Sequence, residues 1–186
     1  MGIPESEFRL AQSAHPAIEI VRTSPLSLEE SSPRRPNLIR RMIATFLDMP
    51  LPTRPGREAR SIDAVALTVQ GIRGSASSSR LRDRATDYRV LTDISRIRMS
   101  LPMVWVVAPS DHEIDHVNIF RSSVRGDGSW CEAYRANLPH FCWSDGSGES
   151  FAARWNQASP GDRTLGALIE LIRQFLNQEN LDNPAR

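Results

Sequence analysis

Two histidines and a glutamate in one short segment have the spacing of a zinc site. His112, Glu113 and His116 form the pattern H-E-x-x-H. On a helix, side chains four residues apart lie on one face, so the two imidazoles can bind zinc while the glutamate serves as a base. Ser110 and Glu113 together have the pattern of a capping box, which predicts that a helix begins here. One hypothesis is therefore a zinc hydrolase.

Three features of the surrounding sequence oppose this hypothesis. Asp115 places a charge where such helices usually keep an uncharged residue, and no second metal motif follows. The third ligand is left open among His140, Glu132 and Glu149. A zinc-stabilised site built from histidine and cysteine is a further alternative.

The same segment and the two cysteines offer acyl-transfer chemistry instead. A thiolate is a strong nucleophile and a fair leaving group, so Cys131 or Cys142 can accept an acyl group and release it again. When an amine attacks the thioester, negative charge grows on the carbonyl oxygen, and a fixed amide donor is worth roughly 10²–10³ in rate. Asn118 is the candidate donor. We expect His116 to hold the loop through hydrogen bonds rather than to act as a base.

Cys142 is the preferred nucleophile and Cys131 the alternative. Aromatic residues flank Cys142, and they can anchor an extended segment that leaves the sulfur at a groove. Glu132 directly follows Cys131, and its carboxylate would oppose thiolate formation. Both thiols can also be structural, because free cysteine is among the most buried residue types.

Composition predicts a cytoplasmic protein without a nucleic-acid or membrane partner. The 186 residues contain two cysteines, no charged-then-apolar leader and no run near the roughly 18 apolar residues of a membrane span. The net charge is +1, with basic and acidic residues intermixed. All 23 basic residues are arginines. Arginine-favouring codons explain this, and so does the avoidance of self-acylation, since arginine stays protonated and is not a nucleophile.

The sequence divides into an N-terminal arm, residues 1–36, and a domain, residues 37–186. The arm carries five prolines and clusters of serine and glutamate, and only residues 17–21 have the pattern of a short strand. We therefore expect the arm to be flexible or peripheral.

Periodicity in the remaining sequence predicts an α+β domain. The predicted elements are an amphipathic helix over residues 38–48, strands over 62–72 and 88–94, a central strand over 102–107 and a helix over 164–177. A helix, an antiparallel sheet, an irregular region and a final helix make up this fold class.

The order of these motifs resembles the ubiquitin-conjugating (E2) fold, specifically its divergent bacterial members. In that family a helix precedes a strand meander, a proline-flanked strand leads to a His-Pro-Asn motif, and the nucleophilic cysteine follows. A tryptophan then precedes a helix that ends in an Asn/Pro-containing turn. The counterparts here are residues 38–48, the strand within 101–109, His116-Val117-Asn118, Trp155, the helix over 164–177 and the turn over 180–185.

The resemblance covers residues 37–185, with departures. Val117 replaces the family's proline, and either cysteine lies further from His116 than usual. The resemblance to the E2 family implies a carrier that takes a ubiquitin-like protein from an E1-like activating enzyme as a thioester and transfers it to an amine. Neither a metal nor a cofactor is implied. Basic pairs at residues 34–35 and 40–41 are either solvated or a docking surface for that enzyme. A non-catalytic E2-like binding module is a third hypothesis.

Overall fold

A computed structural model describes residues 2–25, 60–73, 84–122, 128–143 and 151–178. Within these ranges the protein has an α+β fold in which helices pack on an antiparallel sheet, as the sequence predicts. No helix in these ranges is both long and apolar enough to cross a lipid bilayer.

Among the described residues, seven strands form the main sheet and two form a separate hairpin. The strands are β1 (Ile3–Pro4), β2 (Ile18–Pro25), β3 (Arg60–Arg73), β4 (Arg84–Asp93), β5 (Val104–Ala108), β6 (Ile119–Phe120), β7 (Ser129–Cys131), β8 (Ala136–Leu138) and β9 (His140–Phe141). The hairpin consists of β7 and β8, and all other strands belong to the main sheet.

The main sheet is built on an antiparallel meander of β2, β3, β4 and β5. Its register places apolar residues side by side, since Leu67 lies opposite both Ile18 and Val90, and Val90 lies opposite Val106. This confirms the predicted strands over 62–72, 88–94 and 102–107. β9 continues the sheet beyond β5 and pairs with β6 on its other side.

Three helices are described: α1 (Glu5–Ala14), α2 (Phe151–Gln157) and α3 (Leu165–Asn177). The Thr164 side chain accepts a hydrogen bond from the backbone N–H of Ala167 and so caps α3. The apolar stripe of α3 is buried in the core with the inner face of the sheet. The predicted helix over residues 164–177 is therefore confirmed.

Residues 2–25 are an integral part of the domain, which corrects the expectation of a flexible or peripheral arm. Ile3, Phe8 and Ile18 are buried in the main core. Glu7 accepts a hydrogen bond from the backbone N–H of Leu165 and so joins α1 to the start of α3. Residues 26–36 of the arm and the predicted helix over 38–48 lie outside the described residues.

The hairpin of β7 and β8 packs on the opposite face of the sheet from the helices. Cys131 there forms a small apolar cluster with Ala66 and Leu91, and Trp105 packs against it. The sheet thus separates two apolar layers, and the candidate site residues are divided between them.

Candidate functional site

The segment from His116 to Asn118 leads into β6 and is buried along its whole length. Ile114, Val117 and Ile119 are almost fully buried, and their packing draws the two polar side chains inside. His116 is 6% exposed and Asn118 is 2% exposed. Buried polar groups are destabilising unless they are hydrogen-bonded, so their partners define what this segment does.

The imidazole of His116 joins its own loop to the end of α3. Its Nδ1 accepts a hydrogen bond from the backbone N–H of Asn118 at 3.2 Å, so Nε2 carries the hydrogen and donates to the Leu176 carbonyl at 3.1 Å. The ring stacks on Phe175 and meets the edge of Tyr88. These contacts are those of an anchor between loop and helix.

Burial lowers the pKa of His116 below its usual value of 6.5, because the cationic form is poorly solvated there. The Leu176 carbonyl and the negative charge of Asp115 act in the opposite direction with smaller effect. His116 is therefore neutral at pH 7, in the tautomer that its two hydrogen bonds require.

Asn118 caps the C-terminal end of α3 from outside the helix. Its Nδ2 donates to the carbonyls of Phe175 at 3.2 Å and Gln178 at 2.7 Å. The last carbonyls of a helix lack partners within it, so these two bonds satisfy groups that would otherwise be unpaired. Both hydrogens of the Asn118 amide are thus used in bonds to these carbonyls. To accept a hydrogen bond from Asn118, an oxyanion would have to take the place of one of the two carbonyls.

Cys142 is the thiol that lies beside this segment. Its backbone N–H donates to the Asn118 carbonyl at 2.9 Å, directly after the pairing of β6 with β9. On either side of it, Phe141 and Trp143 pack against Phe175. The flanking aromatic residues thus anchor the segment as predicted, but they draw Cys142 into the core, where it is 6% exposed rather than presented at a groove.

Cys131 lies in the other apolar layer and takes no part in this arrangement. It is 1% exposed and packs with Ala66 and Leu91 across the sheet from α3. Trp155 lies in α2, where its Nε1 donates to the Ile97 carbonyl at 3.2 Å. The structure therefore brings together His116, Asn118 and Cys142, and it places Cys131 and Trp155 elsewhere.

The H-E-x-x-H segment does not form the helix that the zinc hypothesis requires. Only Asp111–Glu113 is helical, as one 3₁₀ turn, and the chain is extended at Ile114. His112 is exposed and His116 is buried, so the two imidazoles do not share a helix face. A helix does begin after Ser110, as the capping pattern predicts, but it ends after one turn, so the longer helix that the zinc hypothesis needs is absent. The polypeptide extends because Ile114 is buried in the main core.

The predicted capping contact nevertheless exists. The Glu113 carboxylate accepts hydrogen bonds from the backbone N–H and the hydroxyl of Ser110. Among the described residues, no three histidine, cysteine, aspartate or glutamate side chains are arranged to hold a metal ion. The suggested ligand Glu149 lies outside the described residues.

The site consists of the segment from His116 to Asn118 and of the last turn of α3. The sequence did not predict that this turn takes part. The carbonyls of Phe175 and Leu176 in that turn, and of Gln178 directly after it, accept hydrogen bonds from His116 and Asn118. One signal was available, because no glycine follows Asn177 to end the helix in the usual left-handed turn. A helix end without that turn needs donors from elsewhere in the molecule.

Comparison with known proteins identifies no relative. No protein-family model matches the chain, and no curated protein or solved structure matches it either. The function must therefore be inferred from the geometry and chemistry of the site.

Proposed function

We propose that the chain is an E2-like domain that carries a ubiquitin-like protein as a thioester on Cys142 and transfers it to an amine. The observation that supports this most directly is the backbone hydrogen bond between Cys142 and Asn118. It selects one of the two thiols as the neighbour of the His116-Val117-Asn118 segment. In the E2 resemblance, the nucleophile and the Asn-containing motif belong to one site.

The order of elements also supports the proposal. Helix α1 precedes a four-stranded antiparallel meander, and the His116-Val117-Asn118 segment, Cys142, Trp155 and helix α3 follow in that order. In the described residues, α1 is the helix before the meander, and the predicted helix over residues 38–48 lies outside them.

The reaction needs the thiol, an activating enzyme that supplies the ubiquitin-like protein in activated form, and an acceptor amine. The Cys142 thiolate attacks the activated carbonyl of the ubiquitin-like tail, a C–S bond forms, and the activating enzyme's leaving group departs. An acceptor amine then attacks the carbonyl, the C–S bond breaks, and the amine loses its proton to solvent. The thiolate is released unchanged, so no metal or redox cofactor takes part.

Burial of Cys142 sets a structural condition for this chemistry. The segment after β9 must move outward for the thiol to meet a partner. The backbone bond to Asn118 and the packing of Phe141 and Trp143 on Phe175 oppose such movement. Asn118 stabilises the oxyanion in this scheme when the oxyanion replaces the carbonyl of Phe175 or Gln178 as an acceptor.

A non-catalytic E2-like binding module is the second candidate, and the burial of both thiols favours it. In that case the hydrogen bonds of His116 and Asn118 serve only to fix the end of α3. The domain would then bind a ubiquitin-like protein without forming a covalent bond.

One experiment separates the two candidates. The protein is incubated with ATP, an E1-like activating enzyme and a ubiquitin-like protein, and adducts are resolved on non-reducing gels. We expect an adduct that a thiol reductant removes. Cys142→Ala should abolish it, and the matched variant Cys131→Ala should retain it. Loss only in Cys131→Ala would move the site to the other face, and binding without an adduct would establish the non-catalytic module.

A further inference from the structure

A cleft of about 420 Å³ lies between α3, β3 and the turn that joins α1 to β2. It forms because the pairing of β2 with β3 ends where Ile18 lies opposite Leu67. Strand β3 continues beyond this point to Arg73 without β2 beside it. The turn over residues 15–17 and helix α3 become the walls on either side of this longer part of β3. Its volume falls within the range of roughly 300–1,000 Å³ that is typical of small-molecule sites.

The floor of the cleft is apolar. Ile18, Leu67, Val69 and Ile169 line it, and each is buried. These side chains come from three different elements of the main core, so the floor is held rigidly. Each is at most 6% exposed, so the apolar area that they offer to a ligand is small and the group that covers it must be compact.

At the rim of the cleft, nitrogen atoms of His15 and Arg173 lie near one carboxylate oxygen, and the Arg173 guanidinium donates a hydrogen bond to it. His15 Nε2 lies 3.4 Å and an Arg173 guanidinium nitrogen lies 3.5 Å from the same Oε1 of Glu170. The Glu170 side chain is 63% exposed, and exposed ion pairs of this kind contribute little to stability. A carboxylate at the position of Glu170 is thus within reach of both His15 and Arg173, and Glu170 itself is held weakly enough to be replaced.

We infer that this cleft binds a carboxylate attached to a compact apolar body. The ligand's carboxylate takes the place of the Glu170 carboxylate between Arg173 and His15, and its apolar part lies on the floor. A free carboxylic acid and the C-terminal residue of a peptide have this same chemistry. The inference does not depend on the proposed carrier function.

The test is a titration of nitrogen-15-labelled protein, followed by amide chemical shifts. The probes are hydrocinnamate and its neutral amide. We expect hydrocinnamate to shift residues along the floor and to bind about tenfold more tightly than the amide, because a charge-assisted hydrogen bond is lost with the charge. Binding that is equally strong for acid and amide, or absent for both, would overturn the inference, as would shifts confined to another surface.

Substitutions at the rim should change the affinity for hydrocinnamate in opposite directions. Arg173→Gln should weaken binding about tenfold, and Glu170→Gln should strengthen it a few-fold because the competing carboxylate is gone. Arg9→Gln is a matched control, since Arg9 is also an exposed arginine paired with a glutamate on a helix but lies outside the cleft. Unchanged binding in Arg173→Gln would refute the assignment, provided that its thermal unfolding matches that of the parent protein.

A third probe distinguishes the source of the carboxylate. The N-acetylated tripeptide Gly-Val-Phe with a free C-terminus presents the same carboxylate on a peptide. If it binds at least about tenfold more tightly than hydrocinnamate, the site recognises peptide termini; if it binds no more tightly, the site recognises small carboxylic acids. In both cases its C-terminal amide should bind weakly, and tight binding of that amide would contradict the inference.

Discussion

Truncation of Asn118 tests whether the contacts between the site segment and α3 hold the fold together. Asn118→Ala removes the two hydrogen bonds to the carbonyls of Phe175 and Gln178. The Phe175 carbonyl is buried, and leaving such a group unpaired costs about 1–3 kcal/mol. The Gln178 carbonyl is partly buried and can rehydrate, so its lost bond costs about 1 kcal/mol.

The free energy of unfolding should therefore fall by about 2–4 kcal/mol in Asn118→Ala. For a chain of this length each kcal/mol lowers the melting temperature by about 2–4 °C, so a decrease of about 5–15 °C is expected. Urea unfolding followed by tryptophan fluorescence measures the first quantity, and differential scanning calorimetry measures the second.

Asn177→Ala is the matched control for this variant. Asn177 also donates to two carbonyls, those of Gln70 and Arg173, but it lies on the exposed side of the same helix turn. Water can replace its amide, so the loss should stay below about 1 kcal/mol. Equal destabilisation by the two substitutions would refute the reasoning, because burial of the Asn118 contacts would then have no energetic effect.

Three further outcomes follow from contacts in the described structure. Because burial lowers the pKa of His116, the native state binds a proton there less readily than the unfolded chain, so stability should fall as the pH drops below 6.5. Urea midpoints at pH 7.5 and about 5.5 should differ less in His116→Gln than in the parent protein. Because both cysteines are buried, mass spectrometry should show that both thiols are alkylated slowly in the native protein. Asn118→Ala should raise the alkylation rate of Cys142, whose backbone is bonded to residue 118, but not that of Cys131. An equal increase at both thiols would indicate general loosening of the fold. Thr164→Ala should lower the free energy of unfolding by about 1 kcal/mol through loss of the α3 cap, and an unchanged urea midpoint would show that the cap is dispensable.

Local patterns predicted the elements whose buried faces repeat regularly. The apolar positions of α3 recur at helical spacing and all face the core, so the helix could be predicted over residues 164–177. The strands over 62–72 and 88–94 were predicted from local pattern, the first from partial alternation. In the structure β3 is longer at both ends, whereas β4 begins earlier and ends at Asp93. Residues 5–14 were missed because prolines near both ends resembled a disordered arm, although Pro4 and Pro16 lie just outside α1.

The site was harder to predict because its partners are distant in sequence. Asn118 and Phe175 are 57 residues apart. The missing glycine after Asn177 indicates that the helix end needs outside donors, but it does not identify Asn118 as one of them. The capping pattern at Ser110 was a correct local signal, but burial of Ile114 stops the helix after one turn. Here packing overrides local preference, which is why the H-E-x-x-H spacing was misleading.

The last turn of α3 connects the candidate site with the cleft on the other side of the helix. Leu176 accepts a hydrogen bond from His116, and its neighbour Asn177 lines the cleft and donates to the Gln70 carbonyl of β3. One turn is thus held from both sides, by the buried loop that adjoins Cys142 and by the outer part of β3. The protein can be in two states, one with this turn held and one with it released. A ligand shifts the balance between them only if its affinities for the two states differ. A carboxylate in the cleft would therefore affect Cys142 only if it binds more tightly to one of these states than to the other. Alkylation of Cys142 with and without hydrocinnamate measures that coupling directly.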